Sequence, residues 1–183
     1  YLCFKKRILP GFFCCIILLL APCPLKSSSP LAINTIHSQP LLPASSFLGE
    51  TLSYDLNFWI FKKAATCSIT YAKHKRGYEA VLEAQTCGLT KLIVGHKKEV
   101  MRSIMAYDEK KGAFRPLMFQ ETFTQRNRER KKTVSFDYAK GNYTLSWERP
   151  DRKKISRTIK MPDREFDDLL TFFYNFRMGH YGD

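Results

Sequence analysis

Histidine and acidic residues are scarce in this 183-residue chain, and each shortage removes a class of chemistry. The four histidines, His37, His74, His96 and His180, are scattered. None shows the i, i+4 or short Cys/His spacing that a metal site needs. There is no G-x-S-x-G, no Walker-type glycine loop and no G-x-G-x-x-G after a strand, so hydrolase, nucleoside-triphosphate and dinucleotide functions lack their local signatures. Asp167 and Asp168 are adjacent. On a helix they would point about 100° apart, and at a helix start the macrodipole explains them better than paired acid–base catalysis does. No catalytic residue, metal or cofactor is expected.

Cysteine is also missing where a disulfide framework would need it. Four of the six, Cys3, Cys14, Cys15 and Cys23, lie in or beside the N-terminal apolar segment, leaving Cys67 and Cys87 for the domain. Neither has a neighbour in sequence that would activate a nucleophile, and each reads as a small buried hydrophobe.

The chain has no long apolar run either. Lys5-Lys6-Arg7 precedes Ile8 to Leu20, which is apolar or neutral throughout, and Ala21-Pro22-Cys23-Pro24 follows. That stretch is shorter than the ~20 residues a membrane-spanning helix requires. Residues 1–25 are therefore expected to be a secretory signal peptide, with an uncleaved anchor and acylation of Cys23 as the open alternatives. Each route associates the N-terminus with membrane before or instead of cleavage. Cations ahead of the apolar run leave the remainder outside the cytoplasm, so the domain is expected to be exported. Residues 26–46 form a Ser/Pro-rich linker, and 47–183 one domain. The chain opens on Tyr1 and stops just after a helical pattern, so it is expected to be a fragment.

What is abundant is positive charge, 30 Lys and Arg against 17 acids. Most of it lies between residues 62 and 160, which favours anionic partners. No nucleic-acid partner is expected, because export separates the domain from it and no aromatic-basic stacking motif is present.

Alternation begins at Phe47. Leu52, Tyr54, Leu56, Phe58 and Ile60 fall on one face of a strand; Ala65, Cys67, Ile69 and Tyr71 face inward on the next, and Tyr78, Ala80, Leu82 and Ala84 on the third. With Arg76-Gly77 as the hairpin loop, Tyr71 pairs with Leu82 and Ile69 with Ala84. Cys67 then faces Thr86 while Cys87 points away, which argues against a bridge. Gly88 to Gly95 is a short connector of about one helical turn. Strands follow near 98–107 and 115–125, the latter with Leu117, Phe119 and Phe123 on one face. Lys140-Gly141 as a two-residue loop would pair Tyr138 with Tyr143, Phe136 with Leu145 and Val134 with Trp147. Pro150-Asp151 turns into a strand carrying Ile155 and Ile159. One helix closes the pattern, with Asp163 as N-cap and a stripe of Phe166, Leu169, Leu170 and Phe173, reinforced by Phe172 and Phe176. The expected fold is mainly β: an antiparallel meander forming a curved sheet or open barrel, with one C-terminal helix packed on it.

The most concentrated feature is Arg126, Arg128, Arg130, Lys131 and Lys132, placed between two alternating stretches. It reads either as a solvated hairpin tip that discourages edge pairing or as an anion-binding loop.

Gly49-Glu50-Thr-Leu52-Ser-Tyr54, Ala64-Ala65-Thr66, Tyr78 to Ala84, Arg115 to Glu121, Val134 to Tyr138 and Phe166 to Arg177 occur in an order and spacing that resembles the bacterial domain-of-unknown-function family numbered 3108. The likeness runs over about residues 47 to 179. It implies an exported envelope protein without assigned activity, and it supplies no functional residue. Family members usually continue into further strands, in line with a fragment. The expected function is a non-enzymatic envelope protein that binds lipid or another amphiphile. The alternative is a structural or adaptor protein docking on anionic membrane or polysaccharide through the basic hairpin.

Overall fold

The computed structural model describes residues 43–58, 61–126, 128–162 and 166–181. The targeting segment, most of the linker, Ile60 and Asp163 lie outside the described residues. Eight strands follow one another: β1 (Thr51–Phe58), β2 (Phe61–His74), β3 (Gly77–Thr86), β4 (Lys97–Asp108), β5 (Ala113–Gln125), β6 (Arg128–Asp137), β7 (Asn142–Arg149) and β8 (Arg152–Lys160). Each pairs antiparallel with the next in a single unclosed sheet ordered β1 to β8. Two helices accompany them, α1 (Gly88–Val94) and α2 (Leu169–Arg177). The mainly β meander with a C-terminal helix packed on it is therefore the observed architecture.

Alternation gives the sheet two chemically distinct faces, since directly paired residues share a side. The inner face, against which α2 packs, carries Ile69, Tyr71, Ala80, Leu82, Met101 and Met105. The outer face carries Thr66, Ser68, Glu83, Lys98 and Arg102 with exposed ion pairs such as Lys98–Glu83. Such pairs contribute little stability.

Two registers differ from expectation, each by two residues. Strands β2 and β3 close on His74↔Gly77 with Lys75-Arg76 as the loop, so Tyr71 pairs with Ala80, Ile69 with Leu82 and Cys67 with Ala84. The His74 ring Nδ1 accepts from Arg76 N–H and fixes the turn. Gly77 is held in the strand pair at φ 138°, where an added Cβ would come 2.2 Å from the Met105 carbonyl oxygen. Between β6 and β7 the loop is four residues, 138–141, and Phe136 pairs with Tyr143, Val134 with Leu145. There the Asp137 carboxylate accepts from Lys140 N–H, and Gly141 takes φ 62°. Because a shift of two preserves the side-chain period, every residue keeps its expected face.

Pro116 lies within β5, where a missing N–H would break a regular ladder. A register shift between Ile104 and Met105 absorbs it, leaving Leu117 as the extra residue. Cys87 is not in β3 but precedes α1, where its thiol meets the Lys63 carbonyl, and Cys67 and Cys87 are both free. The connector helix α1 is seven residues long, with Leu89, Leu92 and Ile93 exposed.

Helix α2 departs most from its expected form. It begins at Leu169, and Asp168 caps it by accepting from Leu170 and Thr171 N–H. Its buried side is Leu170, Thr171, Tyr174 and Asn175, while Leu169, Phe172 and Phe176 face outward. A helix apolar on most of its circumference has no decisive hydrophobic stripe, so polar anchors choose its rotation. Asp168 accepts from Ser103 Oγ of β4 at 2.7 Å and from Thr171 Oγ1 at 2.8 Å. Asn175 accepts from Phe114 N–H at 2.6 Å and donates to Phe114 O at 2.9 Å. Phe114 precedes the β6-paired part of β5, so the Asn175 amide stands where a neighbouring strand would.

The core under α2 is aromatic. Tyr71 stacks on Tyr78 and meets Tyr174 at a ring separation of 4.6 Å, with Phe47 and Phe114 edge-on. Ala44 and Phe47, in a 3₁₀ turn at Ala44–Phe47, are buried in it, and Tyr71 donates to the Ala44 carbonyl. The last residues of the Ser/Pro-rich tract thus belong to the domain. Arg177 completes the closure with a bidentate pair to Glu50 while lying over the Phe47 ring.

Candidate functional site

The five basic residues do not form one loop. Arg126 alone is in the tight β5–β6 turn, at φ 49°, whereas Arg128, Arg130, Lys131 and Lys132 belong to β6. Pairing then divides them. Arg128 is opposite Gln125, Arg130 opposite Phe123 and Lys132 opposite Glu121. These three share the inner face with the apolar residues of β4 and β5. Lys131 pairs with Thr122 and Glu148 on the outer face. Sequence adjacency suggested a cluster of five; the two-residue period of a strand brings three together.

Their surroundings are mixed in sign and otherwise apolar. One inner-face row reads Cys67, Ala84, Glu99, Phe123, Arg130 across β2 to β6, and the next Ile69, Leu82, Met101, Glu121, Lys132, Trp147, Ile155 across β2 to β8. Glu99 is 5% exposed. Among the described residues no hydrogen bond or ion pair holds its carboxylate. Burial, with repulsion from Glu121 added, pushes its pKa up to about 7, because a carboxylate removed from water favours its neutral form. Burial also raises the Cys67 thiol, with Glu99 adding to it, so this thiol is poorly suited to nucleophilic work. Lys132 reaches Glu121 at 3.8 Å, an ion pair longer than a hydrogen bond.

Cover over this face is uneven. Helix α2 packs on β3, β4 and β5, and Phe166 lies on Phe136 and Tyr143. Farther along the row, Trp147 is only partly buried and Ile155 is 58% exposed. The outward side of α2 is apolar too: Phe172 stacks on Phe176 and on Tyr181, beside a recess of about 520 Å³ lined by Asp167, Asp168, Leu169, Phe172 and Tyr181.

Asp167 and Asp168 have separate structural tasks. Asp168 caps α2, and burial raises its pKa against the lowering by Ser103 and Thr171. Asp167 accepts from Asn175 and from the Tyr181 hydroxyl. Among the described residues no group of three His, Cys, Asp or Glu side chains is placed to hold a metal ion. Likewise, no described helix is long and apolar enough to cross a membrane.

Glu99 and Glu121 were not singled out from sequence. Part of the signal was present: both occupy inward positions of their strands, Glu99 two residues before Met101 and Glu121 between Phe119 and Phe123. No curated protein and no solved structure matches the chain. The profile described as "Protein of unknown function (DUF3108)" matches residues 53–179, from β1 to the end of α2. The chain belongs to this DUF3108 family of proteins of unknown function.

Proposed function

We propose that this DUF3108 protein is a non-enzymatic binder of an amphiphile, exported to the cell envelope, and that the ligand lies on the inner face beyond the reach of α2. The observation that carries this reading is the incompletely covered apolar row ending in Trp147 and Ile155, continuous with the charged positions Glu121 and Lys132. Apolar surface left in water costs about 25 cal/mol per Å², and contiguous patches of it mark binding sites more often than isolated exposed residues do. An amphiphile satisfies both parts: its chain covers the apolar row, and its head meets the charges. The basic N-terminal stub and the apolar run after it support export.

The protein purified from its own envelope fraction without detergent is expected to release a near-stoichiometric lipid on solvent extraction. Lipid-free protein that also takes up none when mixed with a total envelope lipid extract would overturn the reading.

A second reading, docking on an anionic membrane or polysaccharide, is favoured by the exposure of Arg126, Arg128 and Arg130 at one end of β6. Replacing Arg126, Arg128, Arg130, Lys131 and Lys132 by Gln should then abolish binding to anionic vesicles. Unchanged binding would eliminate it.

A further inference from the structure

We propose that the amphiphile carries a zwitterionic head group, its ammonium over Glu99 and Glu121 and its phosphate on Arg130 and Lys132. This inference rests on the amphiphile reading and adds the head-group class. Phe123 is paired with Glu99 on one side and with Arg130 on the other, so charges of opposite sign flank one aromatic ring. Glu99 and Arg130 are two strand spacings apart, about 9.6 Å, a span that one zwitterionic head group and two long side chains can bridge. An aromatic face also attracts ammonium groups directly.

A purely anionic head would be drawn to Arg130 but would lie beside two carboxylates. A purely cationic head would meet the reverse problem. The zwitterion satisfies both sets, and it explains the cost of Glu99. Glu99, 5% exposed as a residue, has no hydrogen-bonding or ion-pairing partner among the described residues, and burial disfavours its charged form; a ligand cation would supply a partner. Glu121 and Lys132 are each more than one third exposed, or close to it, at 34% and 43%, and their 3.8 Å separation leaves both able to exchange partners. Arg130 is exposed and presents a forked donor suited to phosphate.

The test is calorimetric titration of the full chain at pH 7.5 with dihexanoyl phosphatidylethanolamine and dihexanoyl phosphatidylglycerol, both below micelle-forming concentration. The ethanolamine lipid is expected to bind roughly tenfold more tightly, as for one charge-assisted contact in a dehydrated site. Glu99→Gln and, independently, Glu121→Gln should erase that preference while leaving phosphatidylglycerol binding equal or stronger. Arg130→Ala should weaken both lipids. Glycerophosphoethanolamine, the same head without chains, should not bind measurably; affinity equal to that of the lipid would overturn a lipid as the source of the head group. Equal affinity for the two lipids, or an unchanged preference in both Gln variants, would overturn the head-group assignment and leave the amphiphile reading standing. Binding of neither lipid, with no uptake from the total extract, would remove both.

Discussion

Single polar residues between α2 and the sheet, and along the sheet's inner face, divide into those the fold uses and those it tolerates. Asn175 belongs to the first kind, because its amide closes both backbone groups of Phe114 and also reaches Asp167. Asn175→Ala should lower stability by about 2–4 kcal/mol, the scale for leaving buried donors and acceptors unpaired, and a denaturant melt will measure it. Glu99 belongs to the second. Its pKa rises on folding from 4.5 to about 7, so the folded state retains a proton that the unfolded chain has released across that window. Stability from this group is therefore complete below pH 4.5 and is lost as pH rises through 7. Glu99→Gln removes the penalty. The variant should match the parent near pH 4.5 and exceed it at pH 8, by up to about 3 kcal/mol at ~1.4 kcal/mol per pH unit. A constant difference across pH 4.5–8 would show that Glu99 titrates normally. A residue that costs stability in the free protein is what a ligand contact looks like before the ligand arrives.

At the scale of elements, the strands and the C-terminal helix were legible in the sequence, and the start and rotation of that helix were not. Period-two alternation placed Ile69, Tyr71, Ala80 and Leu82 on one face, and it survived two mistaken hairpin loops because both errors were even-numbered. Loop length was harder to read. His74 and Asp137 hold their turns through side-chain contacts, which glycine positions alone do not disclose. The orientation of α2 was hidden because Phe166, Leu169, Phe172 and Phe176 offer as convincing an apolar stripe as the residues that are buried. Ser103, Phe114, Thr171 and Asn175 decide between the two sides, and these pairings span more than 60 positions of sequence. Leu170, 1% exposed, and Phe176, 62% exposed, make the distinction measurable. Leu170→Ala should cost about 2–5 kcal/mol as a core truncation, whereas Phe176→Ser should change stability by less than about 1 kcal/mol. Equal thermal shifts in the two variants would contradict the observed rotation of α2.

For the whole molecule, the unclosed sheet explains why charge and apolar surface occur together. β1 and β8 are its two edges, and β8 is basic, with Arg152, Lys153, Lys154, Arg157 and Lys160 along it. Cations on an edge strand oppose pairing with other chains, so part of the +13 net charge serves solubility. The inner-face cations differ, being interleaved with Phe123 and Trp147 and set against Glu99 and Glu121. Sequence showed the basic stretch but not this division, because separating Arg130 and Lys132 from Lys131 requires the register of β5 with β6. The acids were overlooked for a related reason: an inward carboxylate in a strand looks like an interruption until the row on either side of it is known.

Trp147 offers the most direct test of amphiphile binding on this face. In a Trp59→Phe variant it is the sole tryptophan, since the chain has two, and it lies on the inner face between Lys132 and Ile155. Titration with dihexanoyl phosphatidylethanolamine should shift its emission to shorter wavelength and saturate at one lipid per chain, with the shift lost in Ile155→Asp. An emission maximum that stays fixed while lipid binds elsewhere, or while none binds, would contradict the assignment of this face.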